Sequence, residues 1–234
     1  MNFENRLVLI TGGTGALGTS VSMAFLRAGG CVAVSYRRPE EFEKLKAAAG
    51  ASAGRLHGFP ANLVEETSVS AMVQQVAMLG PVQVLVNLVG GYFGGVGIHE
   101  MTLDQWHKII DLNLKSVFLC CKHVLPLLQR QRTGRIINVS SQGGQHGSAG
   151  LSAYGAAKAG LINLTQTLSA EGRPYRITAN VVVPGIIDTP ANRQAMPNAD
   201  FSRWVAPETV AHAILFLASE EAHAITGATL PVVS

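Results

Sequence analysis

Along the chain, short aliphatic and β-branched runs alternate with longer stretches in which apolar positions recur every three or four residues. The runs at 7–10, 31–36, 56–59, 82–86, 135–139, 176–183 and 229–233 have strand length. Most are apolar nearly throughout rather than at every second position, the pattern of a strand buried on both faces. The segments 15–28, 40–49, 65–79, 103–130, 152–171 and 207–217 carry helical spacing. Alternation of this kind predicts an α/β chain, with a doubly wound seven-stranded parallel sheet and helices on both faces. No linker or repeat interrupts it, so residues 1–234 are expected to form a single domain.

Composition narrows the picture. Of 234 residues, 47% are apolar and only 14% charged, enough for a large core and for some apolar surface shared between subunits. The net charge of +3 comes from scattered Lys and Arg with no basic stripe, so no nucleic-acid partner is expected. No run approaches about 18 uninterrupted apolar residues, so no membrane span is expected. The start, Met1 to Arg6, lacks the basic and apolar regions of a signal peptide. Cys31, Cys120 and Cys121 have no metal-ligand spacing, and they predict buried free thiols in a reducing cytoplasmic compartment.

Thr11-Gly12-Gly13-Thr14-Gly15-Ala16-Leu17-Gly18 joins the first strand to the first helix. Small residues there let the backbone and the positive helix end approach a pyrophosphate. Alone, such a turn is a weak signal; its place in the first strand–helix–strand unit strengthens it. At the end of the second strand, an acidic residue would accept the adenosine ribose hydroxyls of NAD. This chain has Tyr36-Arg37-Arg38 instead, and two guanidinium groups suit a 2′-phosphate. No carboxylate follows until Glu40 and Glu41. NADP(H) is therefore the expected cofactor, with NAD(H) second. Asn62, beside Leu63, and Asn87 follow strands three and four, at the sheet edge where ligands bind in such folds.

Tyr154 and Lys158 are four residues apart and share a helical face. An ammonium near a phenol favours the phenolate and lowers its pKa from about 10, as an acid or base working near neutral pH requires. Ser141, at a strand end, can donate a hydrogen bond to a substrate oxygen. Asn113, inside the long helical region, can interrupt backbone bonding and hold a water. Each has a plain alternative: a packed tyrosine, a surface lysine, a turn serine, a helix amide. Their joint order and spacing decides between the two.

In that order and spacing the whole chain resembles the short-chain dehydrogenase/reductase family. The resemblance rests on Thr11-Gly12 with Gly18, Asn87 with Gly90, Asn113, Ser141, Tyr154, Lys158, and Pro184-Gly185 with Thr189. It implies a Rossmann fold and a catalytic set of Asn113, Ser141, Tyr154 and Lys158. Lys158 would hold the nicotinamide ribose and tune Tyr154, and Asn113 would hold a relay water. Ile187 and Thr189 would meet the carboxamide. The expected cofactor contacts are Gly12, Thr14, Gly15, Leu17, Gly18, Tyr36, Arg37, Arg38, Asn62, Leu63, Asn87, Gly90, Tyr154, Lys158, Pro184, Gly185, Ile187 and Thr189. The chain departs from the pattern at Ala16, at Leu88-Val89, at Asn62 and at its last ten residues, which lack the usual closing glycines. Two loops, 90–95 and 188–204, resemble dihydropteridine reductases, which lack a serine at the place of Ser141 and usually prefer NADH.

Tyr92, Phe93, Gln142, His146, Met196 and Trp204, with Ser141 and Tyr154, are the expected substrate walls, suited to a small ring-bearing or aliphatic carbonyl or alcohol. The short segment from 186 to 206 disfavours bulky substrates. Three functions remain: an NADPH-dependent carbonyl reductase, including a 3-oxoacyl thioester reductase; a reductase of a quinonoid pteridine or similar C=N compound; and a non-catalytic NADP-binding sensor or scaffold. The intact set of four disfavours the last, and Ser141 favours the first. Apolar helix surface at 103–130 and 152–171 predicts a homotetramer.

Overall fold

The computed structural model describes residues 1–234. Seven strands, β1 (Leu7–Thr11), β2 (Cys31–Tyr36), β3 (Leu56–Pro60), β4 (Val82–Asn87), β5 (Gly134–Val139), β6 (Ile177–Pro184) and β7 (Thr229–Val232), form one sheet in the order β3-β2-β1-β4-β5-β6-β7. All neighbours pair parallel. The direction of winding reverses between β1 and β4, and the crevice beyond their C-terminal ends is where such a sheet binds ligands.

Helices α1 (Ala16–Arg27), α2 (Pro39–Ala49) and α8 (Pro207–Ala218) cover one face. Helices α3 (Glu66–Ala77), α5 (Ser116–Gln131) and α6 (Ser152–Gly172) cover the other. Alternate strand residues feed the two cores: Val8, Ile10, Val84 and Val86 on the α1 side, Leu7, Leu9, Leu85 and Ile136 on the α6 side. Burial on both sides is the reason these strands read as continuous apolar runs.

One row of the sheet breaks that apolar rule. Thr11, Asn87 and Asn138 stand side by side in register on β1, β4 and β5. Thr11 Oγ1 donates to Asn87 Oδ1 (3.3 Å), Asn87 Nδ2 to Asn138 Oδ1 (2.9 Å), and Asn138 Nδ2 to Thr165 Oγ1 on α6 (2.9 Å). Thr165 in turn donates to the Leu161 carbonyl at 2.7 Å. All four side chains are buried. Each link satisfies a polar group that would otherwise cost about 1–3 kcal/mol in the core. The row ties the turn after β1 to the helix that carries Tyr154 and Lys158.

Several elements differ from the sequence pattern. The helical region expected at 103–130 is α4 (Leu103–Ile110), a π turn at Asp111–Lys115, and α5. A π turn inserts one residue into the helical repeat, too small a shift for apolar spacing to show. The segment between β6 and α8 contains α7 (Pro190–Ala195) and a 3₁₀ turn at Phe201–Arg203, where only a loop was expected. Arg176 has φ 57°, a left-handed conformation outside a strand, so β6 starts one residue later than its apolar run.

Candidate active site

The turn after β1 is built around the lack of side chains. A Cβ on Gly18 would lie 2.0 Å from the Gly12 carbonyl oxygen, and one on Gly13 would lie 2.5 Å from Val34 Cγ1. Gly12 also sits at φ 66°. These contacts press α1 against the turn and leave Gly15 and Ala16 exposed at its N-terminus, with no side chain capping the helix. Open N–H groups at a helix end fit a pyrophosphate. Gly15 itself has room for a Cβ, with only the Gly12 oxygen at 3.5 Å, so Gly13 and not Gly15 is the sterically constrained position. Sequence reading passed over Gly13. Leu17, part-buried, packs against the apolar core on the α1 side.

Beyond β2, Tyr36 stacks on Phe42 of α2, with ring centroids 5.2 Å apart. Arg37 and Arg38 are exposed. Arg38 is not free: its guanidinium pairs with Glu41, and its Nε lies 4.0 Å from Glu40. Thr14 Oγ1 donates to the other oxygen of Glu41 at 3.3 Å. The carboxylates that sequence order set beyond this site therefore reach into it. Asn62 is exposed and donates to Glu65 at 2.6 Å, an arrangement that organises the entry to α3, and Leu63 is buried in the core below it. Asn87 belongs to the buried polar row, so its side chain faces the sheet interior rather than the cleft.

The four expected catalytic residues converge from three elements. Tyr154 and Lys158 come from α6, Ser141 from the turn that follows β5, and Asn113 from the π turn. Ser141 Oγ and the Tyr154 ring both border the space above Gly143, 3.4 and 3.6 Å from where its Cβ would stand. Ser141 Oγ is buried and makes no hydrogen bond of ordinary geometry. It is still close enough to the Tyr154 hydroxyl to favour the phenolate.

Lys158 is buried, and its Nζ donates to the Val139 carbonyl at 2.9 Å. Burial lowers its pKa to about 8. The phenol differs from expectation: burial raises the Tyr154 pKa, Ser141 opposes this, and Tyr92 adds to it. Lys158 Nζ lies 5.9 Å from the Tyr154 ring centroid, and loss of hydration sets the direction of the shift. Asn113 is also more committed than expected. Its Nδ2 donates to Ile109 and Gly91 carbonyls, both at 3.0 Å, and its Oδ1 accepts from Gly91 N–H at 3.1 Å. Its side chain clamps the loop after β4. A Cβ on Gly90 would meet Asn113 Oδ1 at 2.8 Å and Lys158 Nζ at 3.2 Å, so that loop passes directly over Lys158.

Buried Pro184 ends β6, followed by Gly185. Ile187 pairs with Val205, and Thr189 caps α7 by accepting from Asn192 N–H at 3.2 Å. A cavity of about 630 Å³ opens beside this segment, lined by Gln142, Gly185, Ile186, Trp204 and Val205, among others. Of the expected substrate walls, Gln142 and Trp204 line it, while Ser141 and Tyr154 do not. Tyr92 packs edge-on against Tyr154 at 5.3 Å, with Phe93 next to it in the loop. His146 and Met196 are exposed and lie outside the cavity lining. Trp204 is 8% exposed and is fixed through Phe201, at 4.7 Å, to Arg193 and Asp188.

Comparison with known proteins gives the same architecture a lineage. The family model for short chain dehydrogenase matches residues 6–200. The chain is 32% identical to the 3-oxoacyl-(acyl-carrier-protein) reductase FabG of Thermotoga maritima, over 99% of this chain and 98% of that protein. It is 35% identical to the acetoacetyl-CoA reductase of Shinella zoogloeoides, over 97% and 96%. A variant of actinorhodin polyketide ketoreductase solved with NADPH superposes with a TM-score of 0.91 at 27% identity, over 99% of this chain and 97% of that one. A family model over most of the chain and full-length relatives above 30% identity agree: the chain belongs to the short-chain dehydrogenase family and is an NAD(P)-dependent oxidoreductase.

Proposed function

We propose that the chain reduces the keto group of a small 3-oxoacyl thioester, or a carbonyl compound of like size, with NADPH. The observation that carries this is the buried Ser141 Oγ without a strong partner beside the Tyr154 hydroxyl. A serine and a tyrosine hydroxyl side by side suit a carbonyl oxygen. The names of the FabG and acetoacetyl-CoA reductase relatives support the thioester.

Nicotinamide, when bound, supplies the hydride. Ser141 donates a hydrogen bond to the substrate oxygen as negative charge grows there. Tyr154 gives that oxygen its proton, so the C=O becomes CH–OH and a phenolate remains. Lys158, almost without water and held at the Val139 carbonyl, places its ammonium charge near that phenolate and stabilises it. Asn113 keeps the loop at Gly90–Gly91 seated over the lysine.

The test is NADPH consumption with acetoacetyl thioesters, simple ketones and quinonoid dihydropterin. Turnover of the keto compounds, lost in Ser141→Ala, is expected. Activity confined to the dihydropterin and indifferent to Ser141→Ala overturns the reading. We also infer a cytoplasmic homotetramer: Leu103 and Phe118, exposed on α4 and α5, support a subunit contact there, and the three cysteines are unpaired.

A further inference from the structure

The adenosine end of the cleft holds a charge that the reduction itself does not use. Glu41, in the first turn of α2, points back toward the phosphate turn. One carboxylate oxygen pairs with the Arg38 guanidinium and the other accepts from Thr14 Oγ1 at 3.3 Å. A single side chain therefore bridges the arginine after β2 and the turn after β1, across the place where an adenosine ribose would lie. Its side chain is 29% exposed, against 68% for Arg38, so the bridge sits under the arginine and not out in solvent.

We propose that Glu41 is a cofactor-selecting residue, an internal carboxylate that stands where a 2′-phosphate would seek Arg38. The inference rests on the assignment of Tyr36 to Arg38 as the adenosine ribose site. A 2′-phosphate is the stronger partner for a guanidinium, since it carries more charge and accepts two parallel N–H bonds. To reach Arg38 it must displace the Glu41 carboxylate and then tolerate it nearby. A ribose carrying only hydroxyls meets no such competition. Glu41 therefore lowers the advantage of the phosphorylated cofactor that Arg37 and Arg38 alone would create, and keeps the site usable by the unphosphorylated one. The preference is set by three residues, of which the acidic one comes from α2 and not from the end of β2.

Calorimetric titration of the full chain with adenosine 2′,5′-bisphosphate and with 5′-AMP tests this without any turnover. Glu41→Gln keeps the shape and removes the charge. It is expected to tighten binding of the 2′,5′-bisphosphate about 3- to 10-fold, the scale of one or two partly exposed charge contacts, and to leave 5′-AMP unchanged. Placed on an Arg38→Ala background, the same substitution is expected to lose most of that gain. Melting temperatures within error of the parent confirm that each variant is folded. An unchanged or weakened bisphosphate affinity in Glu41→Gln overturns the role of Glu41. So does an equal change for both ligands, which marks a general effect on the pocket. If the unaltered protein binds the two ligands equally, and Arg37→Ala/Arg38→Ala changes neither, the NADPH assignment itself fails.

Discussion

Lys158 keeps a charged group almost out of water, and that has a measurable price in protons. Its pKa is about 8 in the folded chain and returns to 10.5 when unfolding exposes the amine. Between those values the unfolded chain binds a proton that the folded chain has released, so stability rises with pH across that window. Lys158→Met removes the dependence. The melting temperature of the cofactor-free parent, measured against that of the variant, is expected to gain as pH rises from about 8 to 10. A flat difference would mean that the amine is hydrated. Tyr154→Phe is expected to lower turnover roughly 10²- to 10⁴-fold, the range for a lost general acid, while NADPH titration stays near normal. Near-normal turnover would assign the proton to another group. The identity of both residues is readable from their spacing. Their electrostatics are not, because the Val139 carbonyl that takes the Lys158 ammonium and the burial that raises the phenol come from distant strands and loops.

At the scale of elements, the strands and most helices can be read from apolar spacing, since each has at least one face that must be buried. The π turn at Asp111–Lys115 and the helix α7 escape that reading: the first shifts the repeat by one residue, and the second has no buried residue. Apolar spacing also says nothing of Asn138 and Thr165, although a lone amide within Ile136-Ile137-Asn138-Val139 is a visible anomaly in a buried strand. Thr165→Val keeps the shape and removes the acceptor for Asn138 Nδ2. It is expected to cost about 1–3 kcal/mol in chemical denaturation. Because α6 also carries Tyr154 and Lys158, the pair proposed to act in proton transfer, kcat is expected to fall more than NADPH affinity. Gly18→Ala brings a methyl group to 2.0 Å from the Gly12 oxygen, so α1 must move off the turn. Loss of NADPH binding, measured by fluorescence, is the expected result; retained affinity would show that the turn can open freely.

For the whole molecule, the parallel sheet with helices on both faces follows from the alternation of elements, whereas its strand order does not. Partners do not, because subunit contacts depend on which apolar residues remain outside. Phe118 is 47% exposed on an α5 whose other face is deeply packed. Phe118→Glu is expected to reduce the particle mass seen by light scattering while leaving the monomer fold intact. An unchanged mass would argue against a subunit contact through Phe118. The polar row through Thr11, Asn87, Asn138 and Thr165 bears on how such a sheet assembles at all. Interchangeable valines and isoleucines in β1, β4 and β5 would let one strand slide past another with little loss of apolar contact. A slide of one residue turns the amides toward the opposite core, and a slide of two leaves them without their neighbours. The row thus acts as a proofreading mark: only one alignment of the central strands lets every amide find its mate, and any other leaves buried amides unpaired.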